Sequence, residues 1–110
     1  MPDDVLYRKS YLGRISELRP MALPAANSYF QYEKEAFASG LIPRKTKELI
    51  AVAAAHITGC PYCIDVHVAK YKKLGGTMEE IMEAVMVASA VNAGAALAHA
   101  VNALNAYEQN

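Results

Sequence analysis

The sequence predicts an all-α fold, a helical bundle of about five or six helices. Apolar residues recur at helical spacing in one segment after another, Gly and Pro punctuate the joints, and no stretch alternates apolar with polar residues as a half-buried strand would. The 110 residues suit a single domain over 1–110, divided here into an N-terminal arm, 1–21, and a helical core, 22–107. With 54% hydrophobic residues, no Trp and many Ala after position 84, the chain is expected to pack its helices closely and to bury further surface between subunits.

The first twenty residues are irregular and end at Pro20, which predicts an arm with one short helix. From Pro24, "PAANSYFQYEKEAFASG" places Tyr29, Phe30, Glu33 and Phe37 at helical spacing and stops at Gly40, an amphipathic helix with a Gly end signal. In "IPRKTKELIAVAAAHITG", Pro43 suits a helix start and Gly59 a helix end. The apolar residues between them lie on every side, so this helix is expected to be buried all round. Pro61 restarts the chain as a third helix that runs to about Leu74 and is closed by Gly75 and Gly76. Thr77 followed by Glu80 is a capping-box pattern opening the next helix. Its apolar stripe is Ile81, Met82, Val85 and Met86, and Met78, Met82 and Met86 at i,i+4 read as core packing. Asn92 to Gly94 is expected to bend or break the segment, with "AALAHAVNALNAY" as a final helix.

Composition narrows the functional classes. Eleven basic and eleven acidic residues give zero net charge, and no Lys/Arg cluster is interleaved with aromatics, so nucleic-acid binding is not expected. "KYKK" at 70–73 sits late in a helix, where positive charge suits the dipole, and reads as a solvated face. "MPDDVLYRKS" lacks the apolar segment of a secretory signal. The longest apolar run contains Ser89, Asn92, Gly94 and His99, which reads as a buried or interfacial helix rather than a membrane span. A cytoplasmic location is therefore expected, and there a Cys pair is redox-active or metal-bound more often than a structural staple.

"GCPYCIDVH" holds both cysteines of the chain and one of its three histidines. On a helix starting near residue 60, at about 100° per residue, Cys60, Cys63 and His67 share one face. Cys63 and His67 form an i,i+4 pair, the spacing at which helix side chains meet. Both thiols would lie in the first turn, where unpaired N–H groups and the helix dipole favour a thiolate. His67 can take the proton of Cys63, and a carboxylate would orient that base. Glu48, just ahead of seven apolar residues, is the candidate; the alternative is an exposed Glu48 paired with Arg44 or Lys45. The residues also fit a zinc set of Cys60, Cys63 and His67 with Glu48 or His99, or two inert thiols. His56 is expected to face the carbonyls of its own helix, His99 to be buried or to touch a subunit, and Tyr62 to pack off the reactive face.

Glu48, eleven intervening residues and "CPYCIDVH" together resemble the Glu…Cys-x-x-Cys-x-x-x-His signature of the alkylhydroperoxidase D-like branch of the carboxymuconolactone decarboxylase family. The resemblance extends over about residues 22–107. It implies a helical fold with the Cys pair at a helix start, and an antioxidant peroxidase or disulfide-reductase activity that needs no cofactor or metal. By that resemblance Cys63 is the nucleophile, Cys60 resolves it, and His67 with Glu48 relays the proton. The implied partners are a hydroperoxide substrate, a lipoyl or thioredoxin-like dithiol reductant, and further copies of the chain, a hexamer rather than a trimer. Tyr62 departs from members that carry a histidine between the cysteines, which shortens the relay. The competing functions are a carboxymuconolactone-type decarboxylase, which does not depend on a Cys pair, and a zinc-bound or structural oligomer module.

Overall fold

The computed structural model describes residues 7–110. The chain opens with a 3-10 turn (Lys9–Arg14), the one-turn helix α1 (Ile15–Leu18) and a second 3-10 turn (Arg19–Ala22). Four longer helices follow: α2 (Leu23–Phe37), α3 (Arg44–Thr58), α4 (Pro61–Lys73) and α5 (Met78–Gln109). No strand occurs among the described residues.

The predicted punctuation sets most boundaries. Pro43 is extended and serves as the N-cap of α3. Gly59 ends α3 in the left-handed region at φ 72°, a conformation that favours glycine because it has no Cβ to clash. There the N–H groups of both Gly59 and Cys60 donate to the Ala55 carbonyl, at 3.0 and 3.1 Å. The chain therefore reverses within two residues and Cys60 becomes the N-cap of α4. At the start of α5, Thr77 and Glu80 form the capping box in both directions. Its hydrogen bonds from the Thr77 N–H and hydroxyl hold the Glu80 carboxyl below the usual carboxylate range.

Helix α3 is the central element, packed against α4 on one side and α5 on the other. Val52, Tyr71 and Ile81, one from each helix, form the core, with Leu49, Val68 and Val85 against them. Tyr71 is fully buried; burial and then a hydrogen bond with Glu80 raise its pKa above the ordinary phenol value. Gly76 lies directly on this ring, and a Cβ there would fall inside it. Gly76→Ala is therefore expected to cost about 1–3 kcal/mol by overpacking, read as a lower midpoint in chemical denaturation; an unchanged midpoint would mean that the ring moves aside freely.

Three expectations are corrected. Helix α5 runs unbroken through Asn92–Gly94. One Gly in a helix costs only about 1 kcal/mol against Ala, and the flanking Ala-rich sequence absorbs it. Helix α3 is not buried all round: Ile50 and Ile57 are exposed, because within one chain α4 and α5 leave part of its surface open. The Met stripe is not core either. Met78, Met82 and Met86 are exposed while Ile81 and Ala88 face α3. Every residue from Ser89 to the end of α5 is exposed, His99 included. The Cα radius of gyration is 18.3 Å, against roughly 13 Å for a compact chain of this length. By length and composition alone α5 could cross a membrane.

Candidate functional site

The first turn of α4 carries the Cys pair. Cys60 and Cys63 are joined as a disulfide with Cα atoms 5.2 Å apart. The Cys63 N–H, one of the helix's unpaired first-turn donors, points at Cys60 Sγ at 3.1 Å. Sulfur at this position sits where the helix end stabilises negative charge.

One turn further along α4, His67 meets Glu48 of α3. Its Nδ1 lies 2.7 Å from Glu48 Oε2. Glu48 is 1% exposed and the His67 side chain 13%. An ionised carboxylate can only accept, so Nδ1 then carries the proton and Nε2 keeps its lone pair. The exposed alternative for Glu48, paired with Arg44 or Lys45, is not what forms. A carboxylate one helix over from the histidine costs little to bury when that partner is built in.

A third element fixes the imidazole from above. Phe37, at the end of α2, stacks on His67 with ring centroids 4.9 Å apart and planes within 7°. Lys47 of α3 donates to the Ala36 and Ala38 carbonyls, at 2.9 and 2.6 Å, and so ties the end of α2 to α3. That link places Phe37 over the ring. Phe37 belongs to the amphipathic stripe legible in the sequence, but the stripe does not say which histidine it meets.

Cys63 and His67 lie at the base of an open cleft of about 290 Å³. Leu12, Ile15, Phe30 and Val66 form its apolar wall, with Glu33 and Lys70 at the rim. Cys60 is not among its lining residues. No hydrogen bond joins Cys63 to His67 in this disulfide form; they share the cleft instead. The Tyr29 hydroxyl donates to Glu33 Oε2 at 3.0 Å, and this bond, with some burial, holds the Tyr29 phenol above its ordinary pKa. Leu12 and Ile15 come from the N-terminal arm, whose irregular sequence carries no signal that it folds back onto α4.

The remaining candidates fall outside this group. His56 Nδ1 donates to the Val52 carbonyl of its own helix at 2.8 Å, as expected of it. His99 is exposed on the outer part of α5, not buried within the chain. Tyr62 does pack, edge-on against Tyr7 at 5.3 Å, and it also lines the Cys63 cleft. Among the described residues no group of three His, Cys, Asp or Glu side chains is arranged to hold a metal ion; Glu48 is engaged by His67 instead.

Comparison with known proteins bears on the family and the fold. A profile described as the carboxymuconolactone decarboxylase family matches residues 24–106. The chain belongs to the carboxymuconolactone decarboxylase family. A family protein from Legionella pneumophila has the same fold, with a TM-score of 0.70, 32% identity and coverage of 92% of this chain and 90% of that one. Another from Thermotoga maritima, for which a part in the antioxidative response has been suggested, gives a TM-score of 0.62 at 26% identity, covering 80% and 91%. In sequence, the chain is 49% identical over 78 residues to uncharacterized protein 4 of the cox locus of Paracoccus denitrificans, 71% of this chain and 70% of that one. It is 33% identical over 95 residues to the alkyl hydroperoxide reductase AhpD of Maricaulis maris, covering 86% of this chain but 51% of the relative. The chain therefore spans about half of that relative's length. The two short 3-10 turns and α1 precede the matched region, so the arm that supplies Leu12 and Ile15 to the cleft lies outside it.

Proposed function

We propose that the protein is a thiol-dependent antioxidant oxidoreductase that reduces organic hydroperoxides or disulfides through Cys63 and Cys60. One observation carries the reading: a Cys60–Cys63 disulfide caps α4 while Cys63 shares its cleft with a histidine held by a buried carboxylate. The AhpD relatives support it.

In the proposed cycle, His67 Nε2 accepts the Cys63 proton and the thiolate attacks the terminal oxygen of the hydroperoxide. The O–O bond breaks, the alkoxide takes the proton from His67 and leaves as the alcohol, and Cys63 becomes a sulfenic acid. Cys60 then attacks the Cys63 sulfur; the S–S bond forms and water leaves. An external dithiol, lipoyl or thioredoxin-like, returns both thiols by exchange. Glu48 keeps the Nδ1 proton in place and balances the transient imidazolium. The test is to add cumene hydroperoxide to reduced protein and count thiols by mass spectrometry. Loss of two thiols per chain with one alcohol formed is expected; thiols that survive excess peroxide would overturn the reading.

The same proposal includes a homo-oligomer, a hexamer before a trimer, in the cytoplasm, where a Cys pair is held reducible. It draws support from the exposed apolar residues of α5, among them Val91, Leu97, Val101 and Tyr107, the last 84% exposed. Ser89, Asn92, His99 and Asn102 on the same helix suit a protein partner better than hydrocarbon. Light scattering should give six times the mass of the chain, and a monomer at micromolar concentration would end this part of the proposal.

A further inference from the structure

We propose that the Cys63 cleft takes a hydroperoxide whose apolar chain ends in a carboxylate, with Lys70 and Arg44 receiving that carboxylate. This deepens the redox reading and rests on it for the chemistry, though not for the binding.

The cleft combines two chemistries. Its lining includes the apolar side chains Leu12, Ile15, Phe30 and Val66 together with Cys63. It also includes Lys70, on the same face of α4 as Cys63 and seven residues away. Seven residues at 1.5 Å each put the Lys70 backbone roughly 10 Å along the axis from Cys63. Lys70 also borders two adjoining grooves, one of about 430 Å³ shared with Arg44 and Lys73, the other of about 330 Å³ shared with Arg44, Lys34 and the carboxylates Glu33 and Glu48. The basic residues are thus continuous with the cleft rather than scattered.

These cations are also unengaged. Elsewhere Lys47 caps the end of α2 and Lys45 lies over the Tyr71 ring, 5.8 Å from its centroid. The side chains of Lys34, Arg44, Lys70 and Lys73 meet no carboxylate among the described residues. The acidic groups nearby have other partners. Glu48 is buried on His67, and Glu33, across the rim on α2, accepts from Tyr29. Glu33 repels an anion from the α2 side, which directs the carboxylate to the α4 side and to Arg44. An apolar wall leading from the reactive sulfur to a free cationic rim complements an acyl chain with a terminal carboxylate. Hydrogen peroxide engages neither feature, and a neutral alkyl hydroperoxide such as cumene hydroperoxide engages the apolar walls alone.

The experiment needs no peroxide, so it reads binding separately from the redox activity. Reduced protein is treated with neutral iodoacetamide, and alkylation at Cys63 is followed by mass spectrometry. Decanoate or methyl decanoate is added below its critical micelle concentration. Decanoate should protect Cys63 at a concentration roughly fivefold lower than its ester, the scale of a partly exposed ion pair. That advantage should shrink in added salt and vanish in a Lys70→Gln/Arg44→Gln double variant. Equal protection by acid and ester, no protection by either, or an advantage that persists in the double variant would overturn the inference. If peroxide leaves the thiols untouched while the acid still protects, the binding inference stands and the redox reading alone falls.

Discussion

Cys63→Ser should reduce hydroperoxide-driven thiol oxidation to the uncatalysed background, whereas Cys60→Ser should leave the first step intact and halt the second. The asymmetry follows from placement. Cys63 opens into the cleft beside His67, but Cys60 does not line it and sits as the helix N-cap. A serine at 63 keeps the shape of the site but removes the cysteine sulfur that opens into the cleft beside His67. A serine at 60 leaves the Cys63 sulfenic acid without its partner thiol, so it should accumulate and be trapped by dimedone as a single adduct, one peroxide consumed per chain. Mass spectrometry of the two variants after one equivalent of cumene hydroperoxide decides the matter. Peroxide consumption by Cys63→Ser at the parent rate would reverse the roles or remove them.

The second large effect is expected at Glu48, where function and stability can be separated. Glu48→Gln keeps the volume and can still accept from or donate to His67 Nδ1. It loses the charge that balances an imidazolium, and its amide can turn the ring to the tautomer whose Nε2 carries a proton and is no longer a base. General-base assistance contributes on the order of 10²-fold or more, so the rate of Cys63 oxidation should drop by about that factor while the denaturation midpoint changes little. Glu48→Ala should do both kinds of damage. It leaves the His67 donor, 13% exposed, without an acceptor, at about 1–3 kcal/mol, and it opens a void where the buried Glu48 side chain stood. Oxidation rates and urea midpoints for the two variants give the comparison. A Gln variant as fast as the parent would make Glu48 a structural residue alone.

The matched region, 24–106, contains Glu48, Cys60, Cys63 and His67, yet part of the cleft wall is built by residues before it. Under the proposed function, substrate choice is expected to vary with the N-terminal arm, which lies outside the matched region.

Features encoded within a few residues were legible from the chain alone. Gly59 and Pro61 dictate the reversal that makes Cys60 an N-cap, because only glycine takes the left-handed turn at no cost and proline already has helical φ. Thr77 and Glu80 dictate the start of α5. Helical periodicity alone puts Cys63 and His67 on one face, whereas Cys60, extended at the N-cap, does not join them in the cleft. What meets that face depends on packing between helices. Glu48 lies 19 positions before His67, and a carboxylate at a helix start reads equally well as exposed until α4 packs on α3. Phe37 and the Leu12–Ile15 wall reach the site through packing between elements, for which no local hydrogen bond or period gives a sign. The same reason explains the misplaced Met stripe and the unbroken, exposed α5: periodicity shows that a helix has an apolar face, while which neighbour covers it depends on partners beyond that helix.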